Sequence, residues 1–231
     1  MKALAKTKIP HNALIARRIS RSPADKVWTA KDFLDLTNRS VVDKTLQRLT
    51  NQGDLRRINH GLYDRPRVNP LTGKISQPNY QNVIWAIARR DSARMLIDGM
   101  TAANDLGLTN AVPGKVIVHT DARIKPVQIG NLTIQFKLAS PSKLIWADRP
   151  AMRVIQALHW LKDGLKQKDP SAQDDIKAAL TRILNDPKAG ASIVRDLKKD
   201  LSHLPTWMNS LLNGLSSDLS QISLSHQTEG K

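Results

Sequence analysis

Between Val27 and Asp64 the chain reads VWTAKDFLDLTNRSVVDKTLQRLTNQGDLRRINHGLYD, a run of start and stop signals that few folds accommodate. Ala30 to Leu36 sets Phe33 and Leu34 beside Ala30 and Leu36 near one helical face. Thr29 is placed to cap that segment, and Asp32 three residues on suits the positive end of a helix. Thr37-Asn38-Arg39 is a polar break, after which Ser40 is the expected second N-cap, with Asp43 three residues on. Val42, Leu46 and Leu49 then recur at i, i+4 and i+7, a single stripe facing a core. At about 100° per residue the opposite face carries Ser40, Lys44, Gln47, Arg48 and Asn51, with Val41 at its margin. Gly53 is the expected stop, because glycine alone takes the left-handed cap cheaply.

Leu55-Arg56-Arg57-Ile58 and Gly61-Leu62-Tyr63-Asp64 flank Asn59-His60, which is expected to be a tight turn with positive φ. Two capped helices, a glycine stop and a basic hairpin in this order form a winged helix-turn-helix pattern. Its second helix fits the major groove and its hairpin lies along the neighbouring backbone. The plain rival is an amphipathic helix with a solvated basic face. Upstream, Pro10 to Ile19 reads as the first helix of the unit, with Ala13, Leu14, Ala16 and Ile19 on its apolar side and Ser22-Pro23 closing it. Val27-Trp28 reads as a short strand that pairs with the wing, Trp28 serving the core.

Charge is distributed in a way that supports this reading. The formal net charge of +16 is carried as +9 over residues 1–67, +6 over 68–160 and +1 over 161–231. A polyanionic partner is the simplest cause of such a gradient. An anionic membrane surface competes for the same charge, but no basic amphipathic helix with a large aromatic apolar face stands out. The chain has no cysteine, which excludes disulfides and thiolate metal sites. No apolar run approaches the ~18 residues of a membrane span. The N-terminus offers no uninterrupted apolar run of the secretory kind. A cytoplasmic protein is expected.

The remainder reads as α+β. Pro66 to Asn79 holds Pro66, Pro70, Gly73 and Pro78 and reads as a linker or an extended crossing segment. A helix is expected over Tyr80 to Arg90, a buried strand over Ala93 to Ile97, and a short helix over Thr101 to Leu106 stopped by Gly107. Lys115 to His119 is a β-branched run, and Val127 to Ile129 and Leu132 to Leu138 form a hairpin about Gly130-Asn131. Leu132, Ile134, Phe136 and Leu138 alternate with polar residues, so one sheet face is expected to be buried. Helices follow over Pro150 to Leu161, Ala172 to Leu184, Ala191 to Leu201 and Thr206 to Leu212, punctuated by Pro170, Pro187 and Pro205. The division expected is a DNA-binding domain over 1–67, an α+β domain with a small mixed sheet over 68–161, a helical region over 162–215, and a Ser-rich disordered tail over 216–231.

Catalytic signatures are missing: no H-E-x-x-H, P-loop, G-x-S-x-G or G-x-G-x-x-G occurs. The six histidines are scattered, and His159 alone on a helix reads as a packed residue. Asp174-Asp175 point to different sides of a helix, a poor geometry for paired carboxylates. His119, Asp121 and Arg123 could line a pocket, but a strand end and surface loop is the better reading. A metal-dependent nuclease on Asp98, Asp105 or Asp121 ranks last, since their spacing fits no metal motif. No enzyme activity, cofactor or metal is expected.

Two stretches resemble the AbiEi-type antitoxin family of bacterial type IV toxin–antitoxin systems. SVVDKTLQRLTNQGDLRRINHGLYDRP is similar to that family's recognition helix ending in Gly and hairpin ending in Gly-hydrophobic-Tyr. DGMTAANDLGLTNAVPGKVIVHT is similar to its segment of Gly, small residues, Leu-Gly-Leu and a following strand. The likeness covers roughly Ile9 to Leu161. It implies an N-terminal domain that represses its own operon and a C-terminal part that opposes a nucleotidyltransferase toxin encoded beside it. The alternative is a solitary winged-helix regulator with no toxin partner.

The residues themselves point to sequence-specific binding of double-stranded DNA. Arg39, Ser40, Lys44 and Thr45 lie near the start of the second helix, where base edges come closest, and Gln47 and Arg48 extend that surface. Arg56, Arg57, His60 and Arg65 are expected to hold phosphates, contacts that orient a protein without reading sequence.

Overall fold

A computed structural model of the chain describes residues 10–111, 113–166, 170–200 and 204–215. The tail expected over 216–231 lies outside the described residues. The fold is α+β, and its contacts divide into two compact units. One comprises the chain up to Met95 together with Ile124–Ile134, the other Leu96–Arg123 together with Gln135 onward.

The first unit opens with α1 (His11–Arg21), a 3-10 turn (Ala30–Phe33), α2 (Arg39–Asn51) and the hairpin β1 (Arg56–Asn59) and β2 (Leu62–Asp64). The helix expected from Ala30 to Leu36 is thus shorter and tighter. Leu34, expected on the apolar side, is 45% exposed. Asp32 holds the turn's start through Oδ2, which accepts the Thr29 backbone N–H at 2.8 Å and the Thr29 hydroxyl at 3.0 Å. Asn38, not Ser40, caps α2: its Oδ1 accepts the Val41 N–H at 3.1 Å, which leaves Ser40 inside the first turn.

The stripe of α2 goes where its spacing sends it. Val42, Leu46 and Leu49 are buried in one core with Ile15 and Ile19 of α1, Trp28, Phe33 and Leu55. Each such side chain contributes about 1.5–3 kcal/mol on burial. Trp28 stacks on Phe33 with ring centroids 5.0 Å apart, and the Lys26 ammonium sits 4.0 Å above the Trp28 ring. Gly53 takes φ +81° and stops α2, after which the Leu55 N–H reaches back to the Leu49 carbonyl at 3.2 Å.

Trp28 bridges antiparallel to Tyr63, its N–H and carbonyl both bonded there at 2.7 and 2.9 Å, which adds a third strand segment to the hairpin. The hairpin itself is irregular. Arg56 faces Asp64 and Arg57 faces Tyr63, but Asn59 faces Leu62, so an extra residue is absorbed between Arg57 and Asn59. The turn therefore falls at His60-Gly61, one residue later than expected, and of these two only Gly61 has positive φ, at +67°.

Residues 67–76 form a second hairpin within the stretch expected as a linker or an extended crossing segment. Val68 bridges to Ile75, the Asn69 N–H donates to the Lys74 carbonyl at 2.8 Å, and the Ser76 N–H donates to the Arg67 carbonyl at 2.8 Å. The first unit also extends past Asn79 to take in α3 (Tyr80–Asp91), capped by Asn79. β5 (Val127–Ile129) and the start of β6 (Leu132–Leu138) pair antiparallel about Gly130-Asn131, as the sequence suggests. Ile134 is fully buried, but Leu138 at the far end of the expected alternation is 57% exposed.

β3 (Met95–Ile97) and β4 (Lys115–Thr120) complete a four-stranded sheet of order β3-β4-β6-β5. In the second unit, α4 (Gly99–Asp105) packs on α5 (Met152–Lys166) through Ala102, Ala103 and Ala157. Gly99 makes that approach possible: a Cβ there would lie 2.6 Å from the Gln156 carbonyl oxygen and from the Trp160 Cβ. α6 (Pro170–Leu184), α7 (Gly190–Lys199) and α8 (206–215) follow. No helix among the described residues is long and apolar enough to cross a membrane.

Candidate nucleic-acid interface

Because Val42, Leu46 and Leu49 are fixed in the core, the remaining face of α2 is presented to solvent. Arg39, Ser40, Asp43, Lys44, Gln47, Arg48 and Asn51 are all exposed on it. Arg39 is drawn to Asp43 one turn on, Nε to Oδ2 at 2.8 Å, so its charge is partly met within the helix. Lys44 has no ionic partner among the described residues, and Arg48 makes only a long 3.4 Å contact to the Gln52 side-chain oxygen. Ser40, Lys44, Gln47 and Arg48 therefore form a surface rich in donors and positive in sign.

Thr45 does not belong to it. The residue is 4% exposed and its hydroxyl donates to the Val41 carbonyl at 2.7 Å, so it serves the core side of α2. At three residues from Val42 it falls on the buried stripe, a position that the expectation of a base contact overlooked.

The hairpin separates its two arginines. Successive strand residues point to opposite sides. Arg56 turns inward, where Nε and Nη2 meet the two Asp64 carboxylate oxygens at 3.0 and 2.6 Å and Nη1 donates to the Ser76 carbonyl at 3.0 Å. Arg57 is exposed, with no partner among the described residues. His60 lies exposed at the turn, its carbonyl accepting from Arg90 Nη1 at 3.0 Å. Arg65 folds back onto the end of α1, donating to the Ser20 carbonyl at 3.3 Å and the Ser22 carbonyl at 2.5 Å. It satisfies carbonyls at a helix C-terminus, a role that suits a cation there. Arg56 and Arg65, expected on phosphates, are thus committed within the protein, and Arg57 and His60 remain available.

Other arginines in the first unit are structural as well. Arg18 makes two 2.6 Å bonds to Asp35. That contact holds the Asp35 carboxyl below its ordinary range and raises Arg18 above its own. Arg89 joins Asp32 at 3.1 Å and the Val27 carbonyl at 3.0 Å. By contrast, Arg67 and Lys74 on the second hairpin are exposed with no ionic partner among the described residues, a pair the linker reading missed. The signal lay in composition: no acidic residue occurs between Asp64 and Asp91.

Two of the three carboxylates considered for metal chemistry are engaged elsewhere, and the third, Asp121, is exposed. Asp98 caps α4, accepting the Thr101 N–H at 3.1 Å and hydroxyl at 2.6 Å, and also accepts the Ile117 N–H at 3.0 Å. Asp105 accepts from Arg153 Nε at 3.1 Å. Among the described residues no group of three or more His, Asp or Glu side chains is placed to hold a metal ion. His119 is half-buried, and burial, with Lys143 and Lys137, pushes it below the usual histidine range. An open cavity of about 640 Å³ in the second unit is lined by Leu106, Val154, Ile183 and Ile193 beside the Arg153–Asp105 pair.

Residues 14–186 match a protein family described as of unknown function, DUF6088. The crystal structure of the RV2827C protein from Mycobacterium tuberculosis is similar at 20% identity. That likeness covers 92% of this chain and 73% of that one at a TM-score of 0.39. No curated protein matches.

Proposed function

The chain belongs to the DUF6088 family, whose function is unknown, and from its geometry we propose a sequence-specific binder of double-stranded DNA that acts as a transcriptional repressor of its own operon. The observation that carries the reading is the two-sidedness of α2: Val42, Leu46 and Leu49 locked inside, Ser40, Lys44, Gln47 and Arg48 outside. A helix held this way, followed by a hairpin, supports the winged helix-turn-helix reading, in which the outer face of the second helix meets the major groove. Lys44, Gln47 and Arg48 read base edges there, Arg57 and His60 meet phosphates, and Arg39 is shared between Asp43 and the backbone. The test is titration of labelled duplex from the region upstream of the reading frame against a scrambled duplex of equal length. A preference of tenfold or more supports the proposal, and equal affinity for both overturns it.

The resemblance to AbiEi-type proteins supports a second reading, an antitoxin that also opposes a nucleotidyltransferase toxin. The second unit, Leu96–Arg123 with Gln135 onward, carries none of the residues assigned to DNA. Co-expression with the neighbouring reading frame decides it: growth arrest that this chain does not relieve leaves a solitary regulator.

A further inference from the structure

The hairpin 67–76 is short, held by its own hydrogen bonds and apolar at its exposed end. Leu71 is 93% exposed at the turn, above the cross-strand pair Val68 and Ile75, themselves 64% and 57% exposed. The turn is held by its own polar groups. Asn69 Oδ1 accepts the Leu71 N–H at 2.9 Å, the Asn69 carbonyl accepts the Gly73 N–H at 2.9 Å, and Gly73 takes φ +66°. Pro70 fixes φ immediately before Leu71. The result is an apolar tip, Pro70-Leu71, on a stiff stem flanked by exposed Arg67 and Lys74.

Its base is fastened to the first hairpin. Arg56, paired with Asp64, donates to the Ser76 carbonyl. From Arg67 to Asn69 the extended segment spans roughly 7 Å at ~3.3 Å per residue, and the Pro70-Leu71 turn lies beyond it. The surrounding sequence is basic without relief, since no acidic residue lies between Asp64 and Asp91. Such a charge matches a polyphosphate and opposes burial of Leu71 against another basic copy of this chain. Apolar wedges flanked by cations are a recurring means of opening a base step from the minor groove.

We propose that the 67–76 hairpin is a second DNA-contacting element, whose Pro70-Leu71 tip enters the minor groove and bends the duplex while Arg67 and Lys74 hold the phosphates on either side. The proposal rests on the DNA-binding reading of α2 and adds an arm to it.

The experiment uses the full chain and a 30-bp duplex from upstream of the reading frame, end-labelled for energy transfer. Leu71→Ala and the double variant Arg67→Ala/Lys74→Ala are compared with the unaltered chain, with circular dichroism as a fold control. Netropsin, which occupies the minor groove, is the competitor. The expected result is an end-to-end distance that shortens with the unaltered chain and recovers with Leu71→Ala. Leu71→Ala should also lose about tenfold in affinity and its sensitivity to netropsin, yet keep the preference for this duplex over a scrambled one. Unchanged bending and netropsin sensitivity in both variants overturn the arm, while Lys44→Ala still relaxing discrimination at one base position leaves the parent reading intact. A change of solution mass with Leu71→Ala also overturns the arm and makes the tip a contact between copies. Failure of the unaltered chain to prefer or bend any duplex defeats the parent reading and the arm together.

Discussion

Arg56 and Asp64 close the open end of the first hairpin with two parallel hydrogen bonds of 3.0 and 2.6 Å, and the Asp64 side chain is only 6% exposed. Its neighbour Arg57, one residue along and facing the other way, has no such commitment. Two adjacent arginines therefore have opposite consequences when removed.

Arg56→Ala is expected to leave a buried carboxylate without its counter-charge and to cost about 2–4 kcal/mol of stability. Chemical denaturation measures it. Arg57→Ala is expected to change stability by no more than about 0.5 kcal/mol. It should weaken binding to every duplex alike and lower the magnitude of the salt slope by about 1. A salt titration of both variants separates the roles.

On α2, Lys44→Ala or Arg48→Ala should each cost about 1–3 kcal/mol in binding and relax discrimination at one base position. Thr45→Val, which removes the hydroxyl bonded to the Val41 carbonyl, should leave the base preference unchanged and cost at most about 1 kcal/mol of stability. Competition binding against single-base variants of the duplex checks both.

Gly99→Ala should destabilise the second unit by about 1–3 kcal/mol, because the added methyl meets backbone as well as side chain of α5. A thermal melt reads the loss. The same substitution at Gly53, where a Cβ meets nothing within 4 Å, acts only through the positive φ and should cost less.

His119 gives a pH dependence whose sign is set by its surroundings. Burial first, then Lys143 and Lys137, favour the neutral ring, with Asp98 opposing. The folded state therefore binds its proton later than the unfolded chain does. Stability should fall as pH drops below about 6.5 and level off once the folded-state ring is also protonated. His119→Gln should flatten that part of a stability-against-pH curve measured by denaturation between pH 7.5 and 5.

What was legible in the sequence follows the range of the interaction. The α2 stripe, the Gly53 stop, the Trp28 strand and the hairpin about Gly130 all depend on periods and turn residues within a few positions, and they are found where expected. The capping of α2 shifted from Ser40 to Asn38 because both residues can cap, and only packing chooses between them. The arginines were harder. Arg56 finds its carboxylate eight residues away, Arg65 its carbonyls more than forty away and Arg89 its partner fifty-seven away. No local pattern separates such cations from free ones. The 67–76 hairpin was hidden by Pro70 and its neighbours Pro66 and Pro78, which together read as a break although Pro70 sits in the turn itself.

Along α3, Arg90 holds the His60 carbonyl and Arg89 holds both the Val27 carbonyl and Asp32. One helix thus lashes the tip of the first hairpin and the 3-10 turn to a common frame. On the DNA-binding proposal, a contact head braced at both ends keeps its shape before the duplex docks against it, so little further freedom is surrendered at the moment of encounter. Cutting either strap would slacken the head and slow its productive collisions while every outward-facing side chain stayed the same.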